Sequence, residues 1–401
     1  MAAANEPARV LRDPLQSQRV DFIELIFDVV FVFAFTELSQ RLYGDLTWYG
    51  LYGVLVLLLA MWWIWYRLAW TTNRYNPHRP AIRLMIILAM LATLVMSTTM
   101  PHTFVSHRLG AVFGSTYVAV EVGRHLWLVL LGGDRHAQMV SVRVLFWATL
   151  SAPLWIAGAF SPTVPRVVLW TVAVAIDYAG GMLDFPTPRL GRAGLRSQHV
   201  AGAHLVERYQ QVLIIAFGET ILSSGIEFTP YAFQPLRTAA LVVSFTLTLL
   251  LVRIYIYRAG ELLPEAIATT KAPAYIGELA SYAHLTMAAG IIVNAVGDKV
   301  VIAHPLARTT LAESLVIVGG AGLFLVGRAA LDYATFSRVS RTRPVGIVLL
   351  AAAVPATLHF QVIGVAAVTA AVLASIAAGN WVSWSRNPRA PLAPQAPPGR
   401  R

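Results

Sequence analysis

Twelve apolar segments, each close to the length of a membrane-spanning helix, constrain the fold of this chain more than any other feature. A spanning helix needs about 20 mostly apolar residues, because lipid offers the backbone no hydrogen-bond partner outside the helix itself. Short runs rich in Pro, Gly, Arg and Asn separate the segments. They lie at approximately 22–42, 48–70, 82–105, 110–131, 140–160, 166–183, 204–226, 236–258, 275–302, 311–332, 344–358 and 360–384.

The composition agrees with a chain whose solvent is lipid. Hydrophobic residues make up 57% of the sequence and charged residues only 13%, whereas a soluble domain has roughly 25% charged residues. The mean hydropathy is +0.62. The 401 residues include no cysteine, which excludes disulfides and thiolate metal sites. We therefore predict an all-α fold, a polytopic transmembrane bundle of about 12 helices in a lipid bilayer.

The distribution of arginine predicts the orientation of these helices. Positive charge collects in short cytoplasmic loops, and with the N-terminus inside, most basic residues fall in the tails and in the loops after the even-numbered segments. The exceptions that fall on the other side are Arg41, Arg108, Arg166, Arg237, Lys299 and Arg308. Both termini are therefore predicted to be cytoplasmic.

Three short matches, in the same order in each half, predict an internal duplication. "VFAFTE" in the first segment matches "IIAFGE" in the seventh, "WIWYR" in the second matches "IYIYR" in the eighth, and "VGR" occurs in the fourth and the tenth. Six helices per half would give two parallel repeats. The predicted organisation is a cytoplasmic tail (1–20), repeat 1 with helices 1–6 (21–183), a cytoplasmic linker (184–203), repeat 2 (204–384) and a disordered, basic, Pro-rich tail (385–401).

The first segment, "DFIELIFDVVFVFAFTELSQRL", carries four acids, although a charge at the centre of a membrane helix costs roughly 2.5 to 3.5 kcal/mol on insertion scales. At 100° per residue, Asp21, Glu24 and Asp28 share one face, and Glu37 faces nearly the opposite way from Asp28. Such groups must face a partner, a cavity or an ion path.

The seventh and ninth segments add further polar side chains. In the seventh, His204, Arg208, Gln211 and Glu219 form a stripe with Glu207 at its edge, and the ninth carries His284, Asn294 and Asp298. The candidates for an ion or proton pathway are Asp28, Glu37, Glu219, Asp298, Asn294 and His284. The candidates for counter-charges or structural partners are Glu24, Glu207, Arg208, His204 and Arg124. Interhelical ion pairs that only fix packing are the alternative interpretation of the acids. The sequence predicts no metal site, because no close pair of His ligands occurs.

At these residues the chain resembles the bacterial low temperature requirement A (LtrA) family. The resemblance rests on "ELIFDVVFVFAFTELS", "HLVERYQQVLIIAFGETIL" and "HLTMAAGIIVNAVGDK". The first family motif usually reads Glu-Leu-Phe-Phe-Asp-Leu-Val-Phe, so Ile26 and Val29 are conservative departures. The resemblance implies a multi-pass protein of the bacterial cytoplasmic (inner) membrane, named for a need during growth in the cold.

Three functions remain open at this point. The first is a secondary transporter or ion channel for a small ion or proton, with Asp28, Glu219 and Asp298 at the pathway and Arg208 as their counter-charge. The second is a non-transporting membrane protein for envelope assembly or membrane-state sensing. The third is a membrane-embedded enzyme acting on lipid intermediates, although no Walker loop or hydrolase motif supports catalysis. No cofactor and no nucleic-acid partner is predicted, and the oligomeric state is not predicted.

Overall fold

The computed structural model describes residues 11–12, 19–131, 135–195, 200–231, 233–257, 259–270 and 272–386. These residues form an all-α polytopic helix bundle, with no β-strand in the described part. The helices are α1 (Phe22–Gly44), α2 (Trp48–Arg74), α3 (Pro80–Thr99), α4 (His107–Leu131), α5 (Arg135–Ala159), α6 (Thr163–Met182), α7 (Gly202–Phe228), α8 (Pro235–Ile256), α9 (Ala259–Thr269), α10 (Pro273–Ala303), α11 (Leu311–Phe336), α12 (Thr342–Thr357) and α13 (Val362–Arg386).

All twelve predicted segments are helices, and eight helices are long and apolar enough to cross a membrane: α2, α3, α5, α7, α8, α10, α11 and α13. The structure adds one helix that we did not predict. This helix, α9, buries Leu263, Ala266 and Ile267, which have the spacing of one helical face. Its Pro264 and two glutamates suggest a loop in the sequence, and this obscured the apolar pattern.

Several helices begin where the sequence supplies a local signal. Proline stands in the first turn of α3, α8 and α10, where its missing N–H removes no helical hydrogen bond. A capping box starts α11, because Thr310 accepts from the Glu313 amide while the Glu313 carboxylate accepts from the Thr310 amide. The acid Asp21 starts α1 by accepting a hydrogen bond from the Ile23 amide at 3.0 Å.

The chain divides into two compact units, which we call unit 1 (Met1–Ala34 and Leu55–Arg208) and unit 2 (Phe35–Val54 and Tyr209–Arg401). In unit 1, α4 packs against α3 and α5, and α5 packs against α6. Buried aromatic rings fill this packing, with Tyr117 and Trp155 ring centroids 4.0 Å apart and Trp155 and Trp170 centroids 5.4 Å apart.

In unit 2, α10 and α11 pack closely against each other. A Cβ added at Gly290 would lie 2.5 Å from the backbone nitrogen of Phe324, and one added at Gly320 would lie 2.6 Å from that of Asn294. Small residues allow membrane helices to approach this closely. In the most apolar stretch of α10, 83% of the residues are buried, so the polar side chains that this stretch carries lie inside the protein.

The predicted organisation beyond the helices is only partly within the described residues. In the linker, the Asp184 carboxylate accepts from the amides of Gly194 and Leu195, at 2.9 and 3.0 Å, and 196–199 lie outside the described residues. Most of the N-terminal tail and 387–401 of the C-terminal tail also lie outside them. The parallel duplication and the cytoplasmic orientation of the termini stay predictions.

Candidate functional site

An ion pair between Asp28 and Arg208 lies at the centre of the buried charge in unit 1. We call the group of residues around it the first cluster: Arg12, Glu24, Asp28, Trp65, Asn73, His204 and Arg208. The Asp28 Oδ1 lies 2.7 Å from Nη2 of Arg208. The same oxygen accepts the indole N–H of Trp65 at 2.8 Å. Asp28 is fully buried and Arg208 is 1% exposed. This acid is therefore neutralised by direct contact with a base.

Aromatic rings and a backbone oxygen hold the Arg208 side chain in place. Its guanidinium lies 5.9 Å from the Phe27 ring centroid and 5.8 Å from that of Trp65, within the range of a cation–π interaction. Its Nη1 donates to the backbone oxygen of Glu24 at 2.6 Å. Helices α1 and α7 are thus linked by both the side chain and the backbone of α1.

The second acid of this cluster, Glu24, pairs with a histidine. His204 Nε2 lies 3.0 Å from Oε1 of Glu24, and the Asn73 amide lies 3.1 Å from His204 Nδ1. Because that Asn73 nitrogen is a donor, Nδ1 accepts and Nε2 carries the proton given to Glu24. Glu24 also accepts from the Asp21 amide at 2.8 Å, which adds a capping role at the start of α1.

The N-terminal tail contributes one member that we did not predict, Arg12. Its Nη2 lies 3.6 Å from Oε2 of Glu24, and its backbone N–H donates to the Arg74 oxygen at 2.8 Å. Burial lowers the pKa of Arg12, and the charges of Glu24 and Asp21 act in the opposite direction. The predicted structural partner Glu207 accepts from the Val20 amide at 3.1 Å.

In unit 2 the buried acid and base do not touch directly. We call the residues around them the second cluster: Ser39, Glu219, Asn294, Asp298 and Lys299. The Lys299 ammonium donates to the Ser39 hydroxyl oxygen at 3.0 Å. The Ser39 hydroxyl donates to Glu219 Oε1 at 2.8 Å. A hydroxyl therefore stands between the acid and the base, and all three side chains are buried.

The second cluster holds a further acid on α10. The Asn294 amide donates to Asp298 Oδ2 at 3.0 Å, and Asp298 is close enough to Glu219 for their charges to interact. Within the described residues, Oε2 of Glu219 makes no hydrogen bond. Glu37 is half-buried, and its charge acts on Lys299.

Four predicted residues lie outside both clusters: Glu37 and Glu207, which are described above, and His284 and Arg124. His284 donates from Nδ1 to the Ala280 oxygen at 2.6 Å, and its Nε2 lies 3.1 Å from the Tyr255 hydroxyl. Both nitrogens are therefore engaged in hydrogen bonds. Arg124 lies 2.6 Å from Glu121 of its own helix, which also accepts from Trp63 at 3.2 Å. The sequence shows Glu121 three residues before Arg124, on the same helical face, so this pair has a visible sequence signal.

Three sequence interpretations need correction or addition. The "MWWIWYRLAW" segment predicts an aromatic belt at the membrane interface, but Trp62 and Trp65 are buried at 2% and 0% exposure. They fill the protein interior, and the Trp65 indole donates a hydrogen bond to Asp28. The charge distribution assigns Lys299 to a loop, whereas the structure places it within α10, where its charge acts on Glu219. The sequence does not predict Ser39, because a serine in an apolar helix gives no pattern of its own.

Comparison with known proteins identifies the family. The model of the bacterial low temperature requirement A protein (LtrA) family matches residues 19–378. The chain belongs to the LtrA family. This LtrA-family protein is also 30% identical, over 391 residues, to "Uncharacterized protein RA0937" of Rhizobium meliloti (strain 1021), which covers 95% of this chain and 93% of the relative. No solved structure matches.

Proposed function

We propose that this LtrA-family protein carries protons or small cations across the bacterial cytoplasmic membrane, with Glu219 at the pathway. The observation that carries the proposal is the hydrogen-bond chain from Lys299 through Ser39 to Glu219, at 3.0 and 2.8 Å. Ionisable groups inside membrane helices are costly, and they commonly mark ion or proton paths.

The chain of hydrogen bonds suits proton movement. A Lys299 proton can pass to Ser39 Oγ while the Ser39 proton passes to Glu219 Oε1. This exchange converts the charged pair into a neutral amine and a neutral carboxylic acid without moving a heavy atom. Desolvation reduces the free-energy gap between such charged and neutral pairs. While Glu219 is ionised, its Oε2, which has no hydrogen bond in the described part of the chain, is a place where the carboxylate can take a proton from another donor or contact a cation.

Flux measurements on purified protein in liposomes test the proposal. An imposed gradient should drive proton, sodium or potassium flux above that of empty liposomes, and Glu219→Gln and Lys299→Met should remove it. Glu265→Gln is the matched control, because Glu265 is an exposed acid of the same unit. Absence of flux in the wild type, or equal flux in Glu219→Gln, would contradict the proposal.

A second candidate is a non-transporting membrane protein that supports envelope assembly or senses membrane state. The first cluster favours it, because Asp28 and Glu24 contact basic side chains directly, as structural pairs do. Replacing Asp28 and Arg208 together by Asn and Gln should then leave both the fold and the cellular role intact. Loss of the cellular role in a folded double variant would count against this candidate.

The enzyme hypothesis depends on acid and base residues meeting at one membrane face. Glu24 and His204 do meet within unit 1, at 3.0 Å. Both are buried, at 1% and 0% exposure, and the other nitrogen of His204 is engaged by Asn73. A general base must reach the proton of its substrate, so this geometry favours packing over catalysis.

A further inference from the structure

A cavity of about 60 Å³ in unit 1 is lined by basic and hydroxyl-bearing side chains together with apolar ones. Arg67 and Arg74 reach it from α2, and His125 reaches it from α4. The hydroxyl residues Thr71 and Ser141 also line it, and no Asp or Glu is among the described lining residues. A cavity lined by two arginines, with no carboxylate among the described lining residues, attracts an anion.

His125 supplies a second, independent observation. It is 2% exposed, and its Nε2 lies 3.2 Å from Nη2 of Arg124. An arginine nitrogen can only donate, so Nε2 accepts and the ring proton lies on Nδ1. That Nδ1 makes no hydrogen bond to any described residue. A buried donor without an acceptor is costly, and a bound anion would satisfy it.

Aromatic contacts help to place the Arg67 guanidinium. It lies 4.9 Å from the ring centroid of Phe185 and 5.9 Å from that of Trp63. Arginine stacked in this way presents its donors in a fixed plane, which is the geometry that carboxylate and phosphate oxygens match. The position of Arg67 is therefore set before a ligand binds.

The volume of the cavity limits which ligands fit into it. One water molecule needs about 10 to 15 Å³ of such space, so the cavity holds a few water molecules or one tetrahedral oxyanion. We propose that Arg67, Arg74 and His125 bind a phosphate-type oxyanion, either free inorganic phosphate or the headgroup phosphate of an anionic lipid. Both sources are consistent with the predicted cytoplasmic side of α2, where its arginines collect.

Binding measurements in two arms separate the sources. In the first, inorganic phosphate is titrated against phospholipid-free protein in detergent, with chloride at equal ionic strength as the reference. In the second, native mass spectrometry compares retention of phosphatidylglycerol with that of diacylglycerol, which has the same tails and no phosphate. Saturable binding in the first arm identifies the free anion, and selective retention in the second identifies the headgroup.

Two variants connect binding to the cavity. His125→Phe removes the buried donor, and Ser141→Asp places a carboxylate beside the cationic groups, where it can pair with them and compete with the anion. Each should weaken phosphate or lipid binding by about tenfold or more, the effect of one lost hydrogen bond to a charged group. The matched controls His359→Phe and Ser340→Asp change exposed residues of unit 2 that lie between helices, and they should bind as the wild type does.

If one variant fails to fold, the other still tests the site, because Ser141→Asp adds a partner for Arg67 and Arg74 while His125→Phe keeps ring packing. The melting temperature in chloride checks folding in each case. No saturable binding in either arm, or equal binding by a folded variant and the wild type, would overturn the site.

Discussion

In the first cluster Arg208 touches Asp28 directly, at 2.7 Å, whereas in the second cluster the Ser39 hydroxyl stands between Lys299 and Glu219. Direct contact in a buried site favours the charged forms of both partners and fixes the helices that carry them. An intervening hydroxyl weakens the attraction between the charges and offers a path for a proton. Under the proposed function, the first cluster holds α1, α2 and α7 in place and the second cluster exchanges protons.

The largest effect on stability is expected from Arg208→Met. It leaves Asp28 charged, buried and without its base, so the free energy of unfolding should fall by about 3 to 5 kcal/mol. Unfolding of the detergent-solubilised protein, followed by loss of helical signal, measures the change. The double variant that adds Asp28→Asn should recover most of the loss. A single variant as stable as the wild type would break the structural interpretation of the first cluster.

A smaller loss is expected from Trp65→Phe, which removes only the indole N–H donated to Asp28. A hydrogen bond to a charged group contributes about 1.5 to 3 kcal/mol, and the melting temperature should fall accordingly. Trp70→Phe is the matched control, because Trp70 Nε1 makes no hydrogen bond within the described residues. Equal losses in the two variants would show that ring packing, rather than the bond to Asp28, stabilises this position.

The second cluster should respond to Ser39→Ala with a modest loss of stability and a large loss of flux. Removing the hydroxyl costs about 1 kcal/mol of hydrogen bonding, but it breaks the hydrogen-bond chain from Lys299 through Ser39 to Glu219. Proton flux into liposomes should therefore fall strongly, while the melting temperature should fall only slightly. Ser375→Ala, at an exposed position of α13, should change neither. Normal flux in Ser39→Ala would rule out the relay while leaving Glu219 itself to be tested.

The smallest effect is expected from Arg12→Gln. The contact of Arg12 to Glu24 is 3.6 Å, longer than a hydrogen bond, and glutamine keeps a donor for the Thr72 oxygen, which Arg12 contacts at 3.2 Å. The loss should therefore be about 0.5 kcal/mol, the low end for one hydrogen bond, and the melting temperature should fall correspondingly little. A loss as large as that of Arg208→Met would mean that the tail, and not α7, holds the first cluster together.

Much of the fold could be predicted from the sequence, but less of the candidate sites could. Apolar length placed twelve helices, and it missed α9 because Pro264 and its glutamates hid a short amphipathic pattern. Helical periodicity selected Glu24, Asp28 and His204 as polar positions, and the structure brings these into one cluster. It could not select Ser39 or Trp65, whose roles depend on neighbours from elsewhere in the chain.

The sequence by itself determined that this is a helical membrane protein of the LtrA family, because an apolar segment in lipid must satisfy its backbone internally and a helix of about 20 residues does so. Only the tertiary structure decided which acid meets which base. The periodicity of one helix specifies a face but not the helix opposite it, so the direct pairing of Asp28 with Arg208, and the hydroxyl between Glu219 and Lys299, follow from packing.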